Sequence, residues 1–139
     1  MSADLQRFVD AQDERGTYER ALRELRSGRK QGHWIWFVLP QIAGLGRSET
    51  SRHFALSGAD EAAAYAAHPV LGPRLVASAQ ALIDLPGNDP VAVLGPIDAQ
   101  KLQSSMTLFA HAAPDEPAFQ QVLDKYFGGR LDEGTTSRL

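Results

Sequence analysis

Apolar residues recur along most of the chain with the three- and four-residue spacing of amphipathic helices. The pattern is clearest in the segments TYERALRELRS, GPRLVASAQALIDL, AQKLQSSMTLFAHA and PAFQQVLDKYF. Thr17 and Asp98 are candidate N-caps of the first and third segments, and Pro73 lies near the first turn of the second. Gly28 follows the first segment as a natural helix end. These segments predict four helices.

Shorter patterns predict the remaining helices. Ser2 can cap a first helix that carries Phe8 on its apolar face, and the alanine-rich ADEAAAYAA has high helix propensity. Ser48 or Ser51 can open a short helical turn, and PVAVLG has the length of another. The chain has no repeat and no linker. We therefore predict an all-α class, a compact single-domain bundle of roughly six to eight helices over residues 1–139.

The segment GHWIWFVLPQ, residues 32–41, is ambiguous, because a run of seven bulky residues fits either a buried strand or a short buried helix. No second strand-like run lies nearby to pair with it, and a lone strand is unstable. We therefore predict a helical segment that ends at Pro40, followed by a loop over QIAGLGRS.

The formal net charge of −3 argues against a general nucleic-acid binder. One local exception is ERALRELRSGRK, residues 19–30, which holds five basic residues. Its charges stand at the i,i+4 spacing of surface ion pairs, which favours a solvated helix face over a phosphate-binding rim. The sequence therefore disfavours nucleic acid as a partner, with binding through this face as the alternative.

The chain holds no cysteine, which excludes disulfides and thiolate metal sites. Its four histidines show no H-x-x-H or H-E-x-x-H spacing, so we predict no metal and no other cofactor. No segment approaches the roughly 20 apolar residues of a membrane span, and MSADLQRFVDAQDERG has no signal-peptide organisation. We therefore expect a soluble, cytoplasmic protein with no membrane partner.

The first candidate site surrounds the two tryptophans. Trp34 and Trp36 are two residues apart, so on a helix at most one of them faces a given pocket. His33 is a candidate proton donor or acceptor, with a structural role as the alternative. In the following GLGRS, Arg47 and Ser48 stand beside glycines that let backbone N–H groups approach an anion, and a plain flexible loop is the alternative.

The second candidate site lies in the predicted helix AQKLQSSMTLFAHA. Lys101 falls at the edge of its apolar face, where an ammonium needs a partner or a ligand because burying it unpaired is costly. Ser104 and Ser105 follow at i+3 and i+4, which makes a Ser–Lys nucleophilic pair conceivable. The order K-x-x-S is the reverse of the S-x-x-K of penicillin-binding enzymes. A snorkelling lysine is the alternative.

The third candidate site is the turn in YAAHPVLGPRL, where Tyr65, His68 and Arg74 come together. His68 stands at the C-terminal end of a predicted helix, where the helix dipole favours a charged imidazole. Structural capping roles for these residues are the alternative.

Four blocks in order, GHWIWFVLPQIAGLGRSETSRHFALSG, AYAAHPVLGPRL, KLQSSMTLFA and VLDKYFGGRLDEGT, make the chain similar to a bacterial family of small proteins of unknown function, DUF1810. The resemblance runs over nearly the whole chain. It implies a compact, largely helical single domain and supplies no established activity. The blocks contain the three candidate sites, so their polar residues could converge on one pocket, or the blocks could be helix contacts.

Our hypothesis is that the chain binds a small molecule, nucleotide-like or phosphorylated; whether it is also an enzyme stays open. The candidate ligand-binding residues are Lys30, Trp34, Trp36, Gln41, Arg47, Ser48, Arg74 and Ser104. The candidate catalytic residues are His33, His68, Lys101 and Ser105. The alternative function is a non-enzymatic protein–protein interaction or regulatory module, with a homo-oligomer as one form of it.

Overall fold

The computed structural model describes residues 5–139, and within that range the chain forms ten α-helices, one 3₁₀ turn and no β-strand. The predicted all-α class is confirmed. In chain order the elements are α1 (Gln6–Asp13), the 3₁₀ turn (Glu14–Gly16), α2 (Thr17–Ser27), α3 (Ile35–Val38), α4 (Glu49–His53), α5 (Ala59–Ala67), α6 (Leu71–Asp84), α7 (Pro90–Leu94), α8 (Pro96–Ala112), α9 (Ala118–Phe127) and α10 (Glu133–Thr136).

The six longer helices, α1, α2, α5, α6, α8 and α9, are those that the apolar periodicity and the alanine-rich segment predict. Gly28 ends α2 in the left-handed conformation, with φ of 79°, and Ser48 caps α4 by accepting a hydrogen bond from Ser51 N at 3.1 Å. Both roles agree with the sequence. The predicted cap of the first helix, Ser2, lies outside the described residues.

Two predicted N-caps are wrong. Thr17 is the first residue of α2, because Gly16 with φ of 68° takes the capping position before it. Asp98 lies in the first turn of α8, since the helix already begins at Pro96, where a proline loses no backbone hydrogen bond. The Asp98 carboxylate is therefore available to side chains outside its own helix end.

Helix α8 forms the centre of the core. It packs against α5, α7, α9 and α10, and residues 104–109 are all buried. Helix α6 packs against α2, α5 and α9, so the helices surround one hydrophobic core. Its largest fully buried side chains include Trp34, Tyr65, Phe8, Phe109 and Phe119. Lys101 precedes the buried residues 104–109 of α8 and is itself only partly buried, so it lies between the core and the surface.

The tryptophan segment forms the short helix α3, which ends before Pro40 as predicted. Trp34 precedes the first turn of α3 and is only 2 % exposed, whereas Trp36 is partly exposed. After α3, Ile42 and Leu56 form a single parallel bridge. This bridge holds the loop after α3 against the segment between α4 and α5.

Candidate functional site

A cavity of about 320 Å³ opens beside the N-terminal half of α8. Its walls come from α8, from the loop between α3 and α4, from α4, and from the segment around α10. We call it the Lys101 cavity, and its lining residues are Gln41, Leu45, Gly46, Ser51, Ile97, Gln100, Lys101, Ser104, Asp132 and Gly134. Three predicted site residues, Gln41, Lys101 and Ser104, therefore line one cavity.

The loop wall of the Lys101 cavity depends on a glycine. A Cβ atom at Gly46 would stand 2.4 Å from Ser51 Cβ, which leaves no room for a side chain unless Ser51 moves. Of the anion nest predicted in GLGRS, Gly46 lines the Lys101 cavity, but Arg47 and Ser48 do not. Arg47 is exposed and does not line the cavity, and the Ser48 hydroxyl is engaged in capping α4.

Two lysines share one aspartate next to the cavity. Lys30 Nζ lies 2.7 Å from Asp98 Oδ2, and Lys101 Nζ lies 3.4 Å from Asp98 Oδ1. Lys30 Nζ also donates to Gly32 O at 2.6 Å, and its backbone N–H donates to Val93 O at 2.8 Å. Lys30 is thus held in place and takes the shorter contact, so the charge of Lys101 is the less neutralised of the two.

The two tryptophans stand beside these two lysines. Lys30 Nζ lies 5.2 Å from the centroid of a Trp34 ring, and Lys101 Nζ lies 4.8 Å from that of Trp36. Both distances are within cation–π range. The two rings lie in different environments, since Trp34 is buried and Trp36 is partly exposed. This agrees with the prediction that at most one of them faces a given pocket. Trp36 therefore positions the cavity lysine while Trp34 belongs to the core.

Asp132, at the beginning of α10, also lines the Lys101 cavity. Its Oδ2 accepts hydrogen bonds from Ser104 Oγ at 3.1 Å, Thr135 N at 3.0 Å and Thr135 Oγ1 at 2.6 Å. Its backbone N–H donates to Thr107 Oγ1 at 2.9 Å. Asp132 caps α10 and ties it to α8. Sequence reasoning missed this residue, and the available signal was weak: aspartate is a favoured N-cap residue, but the Glu or Gln of a capping box does not follow it three residues later.

Glu24 fixes the loop that carries Lys30. Its Oε1 accepts hydrogen bonds from Gln31 N at 2.7 Å, Gly32 N at 2.9 Å and Trp34 Nε1 at 2.8 Å. Burial alone would raise the pKa of Glu24, but these hydrogen bonds and the charge of Lys30 outweigh it and hold the pKa below its ordinary value. Glu24 was predicted only as a surface ion-pair residue; in the structure it organises residues 31–34.

His33 lies on a different cavity, of about 440 Å³, between the 3₁₀ turn, α2 and α3. Glu24, Trp34 and Phe37 also line that cavity. His33 is exposed and does not line the Lys101 cavity. The tryptophan segment is therefore divided between two cavities, and its histidine does not face the cavity lysine.

His68 lines a third cavity, of about 700 Å³, whose walls are largely apolar and include Val76 and Phe119. Its Nδ1 accepts hydrogen bonds from Val70 N at 3.1 Å and Leu71 N at 3.2 Å. His68 thus satisfies N–H groups at the beginning of α6, which corresponds to the capping alternative. Accepting these bonds requires Nδ1 to carry no proton.

Arg74 belongs to contacts between helices. Its guanidinium lies 2.8 Å from Asp13 Oδ1, donates to Gln12 Oε1 at 3.2 Å, and stands 4.9 Å from the centroid of the Tyr18 ring. These contacts join α6 to α1 and α2. Arg74 does not line the Lys101 cavity.

Ser105 differs from its neighbour Ser104. The Ser105 side chain is fully buried, and its Oγ has no hydrogen-bond partner among the described residues. It does not line the Lys101 cavity. Lys101 and Ser105 are therefore not presented together to a ligand in that cavity.

Two general properties concern residues 5–139. No helix in that range is long and apolar enough to span a membrane. No three histidine, aspartate or glutamate side chains of the described chain lie together in an arrangement that could hold a metal ion.

The comparisons with known proteins agree with the fold. The family model described as a protein of unknown function (DUF1810) matches residues 2–139. The crystal structure of the conserved hypothetical protein Rv1873 from Mycobacterium tuberculosis, determined at 1.38 Å, is similar with a TM-score of 0.94. The two sequences are 44 % identical, and the match covers 98 % of this chain and 96 % of that chain. A comparison with curated proteins gives no match.

Proposed function

The chain belongs to the DUF1810 family, and we propose that it binds a small anionic molecule, phosphorylated or nucleotide-like, in the Lys101 cavity. One observation carries the proposal. The Lys101 ammonium lies in the cavity wall and shares the Asp98 carboxylate with Lys30, which holds the shorter contact. Two ammonium groups on one carboxylate leave the excess positive charge at the Lys101 end of the cavity, while Asp132 is the negative group of the lining.

The surroundings of Lys101 support a bound anion. Its side chain is 22 % exposed, so its charge is only partly screened by water. Trp36 and Asp98 both contact the ammonium, which reduces the entropy lost when a ligand binds. Ser104 and Gln41 add a hydroxyl and an amide to the same cavity. The Gln41 amide can donate hydrogen bonds to phosphate oxygens, whereas the single Ser104 proton is already directed to Gln100 O and Asp132 Oδ2.

The size of the cavity restricts the ligand. Small-molecule sites have volumes of about 300–1,000 Å³, and the Lys101 cavity has about 320 Å³. A phosphorylated metabolite or a mononucleotide is therefore favoured over a dinucleotide. Of the four candidate catalytic residues, Lys101 alone lines this cavity. Binding is the proposed function, and Lys101 is the residue on which any proton transfer there would depend.

A ligand screen by differential scanning fluorimetry and calorimetry tests the proposal. The probes are inorganic phosphate, sugar phosphates, nucleoside monophosphates and simple carboxylates. A probe at about 100 times its dissociation constant stabilises the fold by about 2.7 kcal/mol. For a domain of this size, the unfolding midpoint then rises by about 8 °C.

The variant Lys101→Met provides the site-specific test. Methionine is also a long, unbranched side chain, and it has no charge, so we expect affinity for a phosphorylated probe to fall about tenfold to a hundredfold. The matched control is Arg23→Met, which removes one positive charge from the exposed basic face of α2. Equal losses in the two variants would move the site to α2, and a screen without any hit would contradict the proposal.

One observation favours the alternative function, a protein–protein interaction module. Ile97 at the rim of the cavity is 71 % exposed, and Val91 on the adjoining α7 is 48 % exposed. Exposed apolar groups can mark a contact surface. Light scattering on the native chain and on Ile97→Asp tests it: a native oligomer that dissociates in the variant supports the module, and a monomer in both contradicts self-association.

A further inference from the structure

We infer that the ligand of the Lys101 cavity is a phosphorylated polyol, a sugar-phosphate-like molecule whose hydroxyl groups are bound by the free oxygen of Asp132. This inference rests on the proposed function, because it takes the anionic group to lie at Lys101. It adds the chemical nature of the remainder of the ligand, beyond its phosphate.

The two oxygens of Asp132 are used very differently. Oδ2 accepts three hydrogen bonds, from Ser104 Oγ and from the backbone and the hydroxyl of Thr135. Oδ1 accepts none from the described residues, although a carboxylate oxygen has about two lone-pair sites. Because Asp132 lines the cavity, its unused acceptor capacity is available to a ligand donor there.

The positive Lys101 and the negative Asp132 both line the cavity, which suits a ligand with a phosphate and hydroxyl groups. Ser104 follows Lys101 by three residues, a distance of about 4.5 Å along the helix axis, and its hydroxyl reaches Asp132 at 3.1 Å. The positive group comes from α8 and the negative group from the N-terminal end of α10, and both line the same cavity. The carboxylate repels a phosphate and attracts a hydroxyl donor, so the phosphate is directed to Lys101 and the hydroxyls to Asp132.

The remaining lining fits the two kinds of surface on a sugar. Gln41 and Gln100 each carry an amide that can both donate and accept hydrogen bonds, as hydroxyl groups require. Leu45 and Ile97 provide apolar contact, which suits the C–H face of a ring or chain. A ligand without hydroxyl groups would displace water from these amides and from the Asp132 oxygen without replacing its hydrogen bonds, which opposes binding.

An amine could also bind Asp132, so an aminoalkyl phosphate is the competing ligand. The hydroxyl is favoured because Oδ2 already shares its charge among three donors and because the cavity wall contains neutral hydrogen-bonding groups next to it. The experiment therefore includes phosphoethanolamine as a separate arm.

Calorimetry on the native chain compares five probes. They are glycerol 3-phosphate, ribose 5-phosphate, glucose 6-phosphate, phosphoethanolamine and pentyl phosphate, which has a phosphate and no hydroxyl on its carbon chain. We expect at least one sugar phosphate or polyol phosphate to bind about tenfold more tightly than pentyl phosphate, which corresponds to one retained hydrogen bond to a charged group.

The variant Asp132→Asn then tests the residue. Asparagine remains a good N-cap, so its oxygen can keep the bonds of Oδ2 while its NH₂ group replaces the free acceptor with a donor. We expect the variant to bind the polyol phosphate about tenfold more weakly. Pentyl phosphate should bind at least as tightly as before, because the variant removes a negative charge that repels the phosphate. Glu133→Gln is the matched control, because it removes the neighbouring exposed carboxylate, which does not line the cavity.

The outcomes separate the two proposals. If no phosphorylated probe binds the native chain, the proposed function itself fails. If pentyl phosphate or phosphoethanolamine binds as tightly as the polyol phosphates, or if Asp132→Asn weakens pentyl phosphate equally, anion binding stands and the polyol inference is overturned. Circular dichroism and the unfolding midpoint establish that the variant is folded.

Discussion

Two polar clusters in this helical protein differ in how fully their hydrogen-bonding capacity is used. The first, which we call the Tyr65 network, consists of Gln12, Tyr65, Arg74 and the backbone carbonyl of Phe37. The second is the Lys101 cavity with its adjoining lysine and aspartate. Both contain residue types found in binding sites, and only the second has capacity left for a ligand.

The Tyr65 network is closed. Gln12 Nε2 donates to Phe37 O at 2.7 Å and to Tyr65 Oη at 3.0 Å, and Tyr65 Oη donates to Phe37 O at 3.1 Å. Arg74 donates to Gln12 Oε1 at 3.2 Å. Burial raises the pKa of Tyr65 well above its ordinary value, so its phenol stays a donor at neutral pH. The network joins α1, α3, α5 and α6.

In the Lys101 cavity, by contrast, one lysine shares its counter-ion and one carboxylate oxygen has no partner among the described residues. The two tryptophans repeat the difference, because Trp34 is sealed and hydrogen-bonded to Glu24 while Trp36 is partly exposed over Lys101. Residue type alone therefore does not identify a site. Unused hydrogen-bonding capacity beside a cavity is the observation that supports the proposed site.

The largest expected effect separates the tryptophans. Trp34→Ala removes a ring that is 2 % exposed, together with the donor to Glu24, and should lower the free energy of unfolding by about 3–5 kcal/mol. Trp36→Ala removes a partly exposed ring and should cost no more than about 1.5 kcal/mol. Urea denaturation followed by circular dichroism measures both.

If Trp34→Ala does not fold, Trp34→Phe keeps an aromatic ring in the core, removes the Nε1–H donor and leaves a smaller cavity than alanine does. Leaving Glu24 without that hydrogen bond should cost about 1–3 kcal/mol. Equal costs for Trp34→Ala and Trp36→Ala, with an unchanged affinity for phosphorylated probes in both, would remove the contrast between a core ring and a cavity ring.

The second prediction concerns the closed network. Tyr65→Phe removes a hydroxyl that both donates and accepts, leaves Gln12 short of one partner, and should cost about 1–3 kcal/mol. The control is Tyr126→Phe, whose hydroxyl makes a single hydrogen bond to Leu82 O at 2.6 Å. It should cost about 0.5–1.5 kcal/mol. The network interpretation is contradicted if Tyr65→Phe is the milder change in urea denaturation.

Sequence reasoning succeeded where the information is local. The periodicity predicts α2, α6, α8 and α9, and the absence of a pairing strand favours the short helix α3. Lys101 stands out because it occurs at the edge of an apolar helix face. Its connection to Ser104 is also local, since the two residues are one turn apart.

The rest depends on packing between distant segments. Asp132 meets Ser104 across 28 residues of sequence, and Lys30 meets Asp98 across 68 residues, which no local pattern encodes. For the same reason the sequence could not decide that His33 and His68 line other cavities. Proximity in the chain made them candidates, and the helix arrangement separated them from Lys101.

The third prediction uses pH to test the support beneath the lysine cluster. Because the pKa of Glu24 is lowered on folding from its ordinary value of 4.5, its contribution to stability is present above that value and is lost as pH falls through the folded-state pKa. The native chain should therefore lose stability faster than Glu24→Gln below about pH 4.5. The effect should be smaller than that of Tyr65→Phe, since Glu24 is partly exposed.

Urea unfolding of both chains between pH 7 and pH 3 makes this comparison, and the quantity of interest is the difference between their free energies. Other carboxylates titrate in both chains and cancel in it. A difference that stays constant across the range would mean that Glu24 is not stabilised in its charged form by residues 31–34.

The smallest expected effect concerns two adjacent serines on α8, of which Ser104 lines the Lys101 cavity and Ser105 lies in the core. Ser104→Ala removes a hydroxyl whose single proton is shared between Gln100 O and Asp132 Oδ2, each 3.1 Å away, and should cost about 1 kcal/mol. Ser105→Ala removes a buried hydroxyl that has no partner among the described residues, so relief from desolvation offsets lost packing and the change should be within about 0.5 kcal/mol of zero. Chemical denaturation with at least three replicates resolves the two. A loss of stability at Ser105 as large as that at Ser104 would mean that Ser105 makes a hydrogen bond in solution. Fully paired polar groups would then extend along α8 to the edge of the Lys101 cavity.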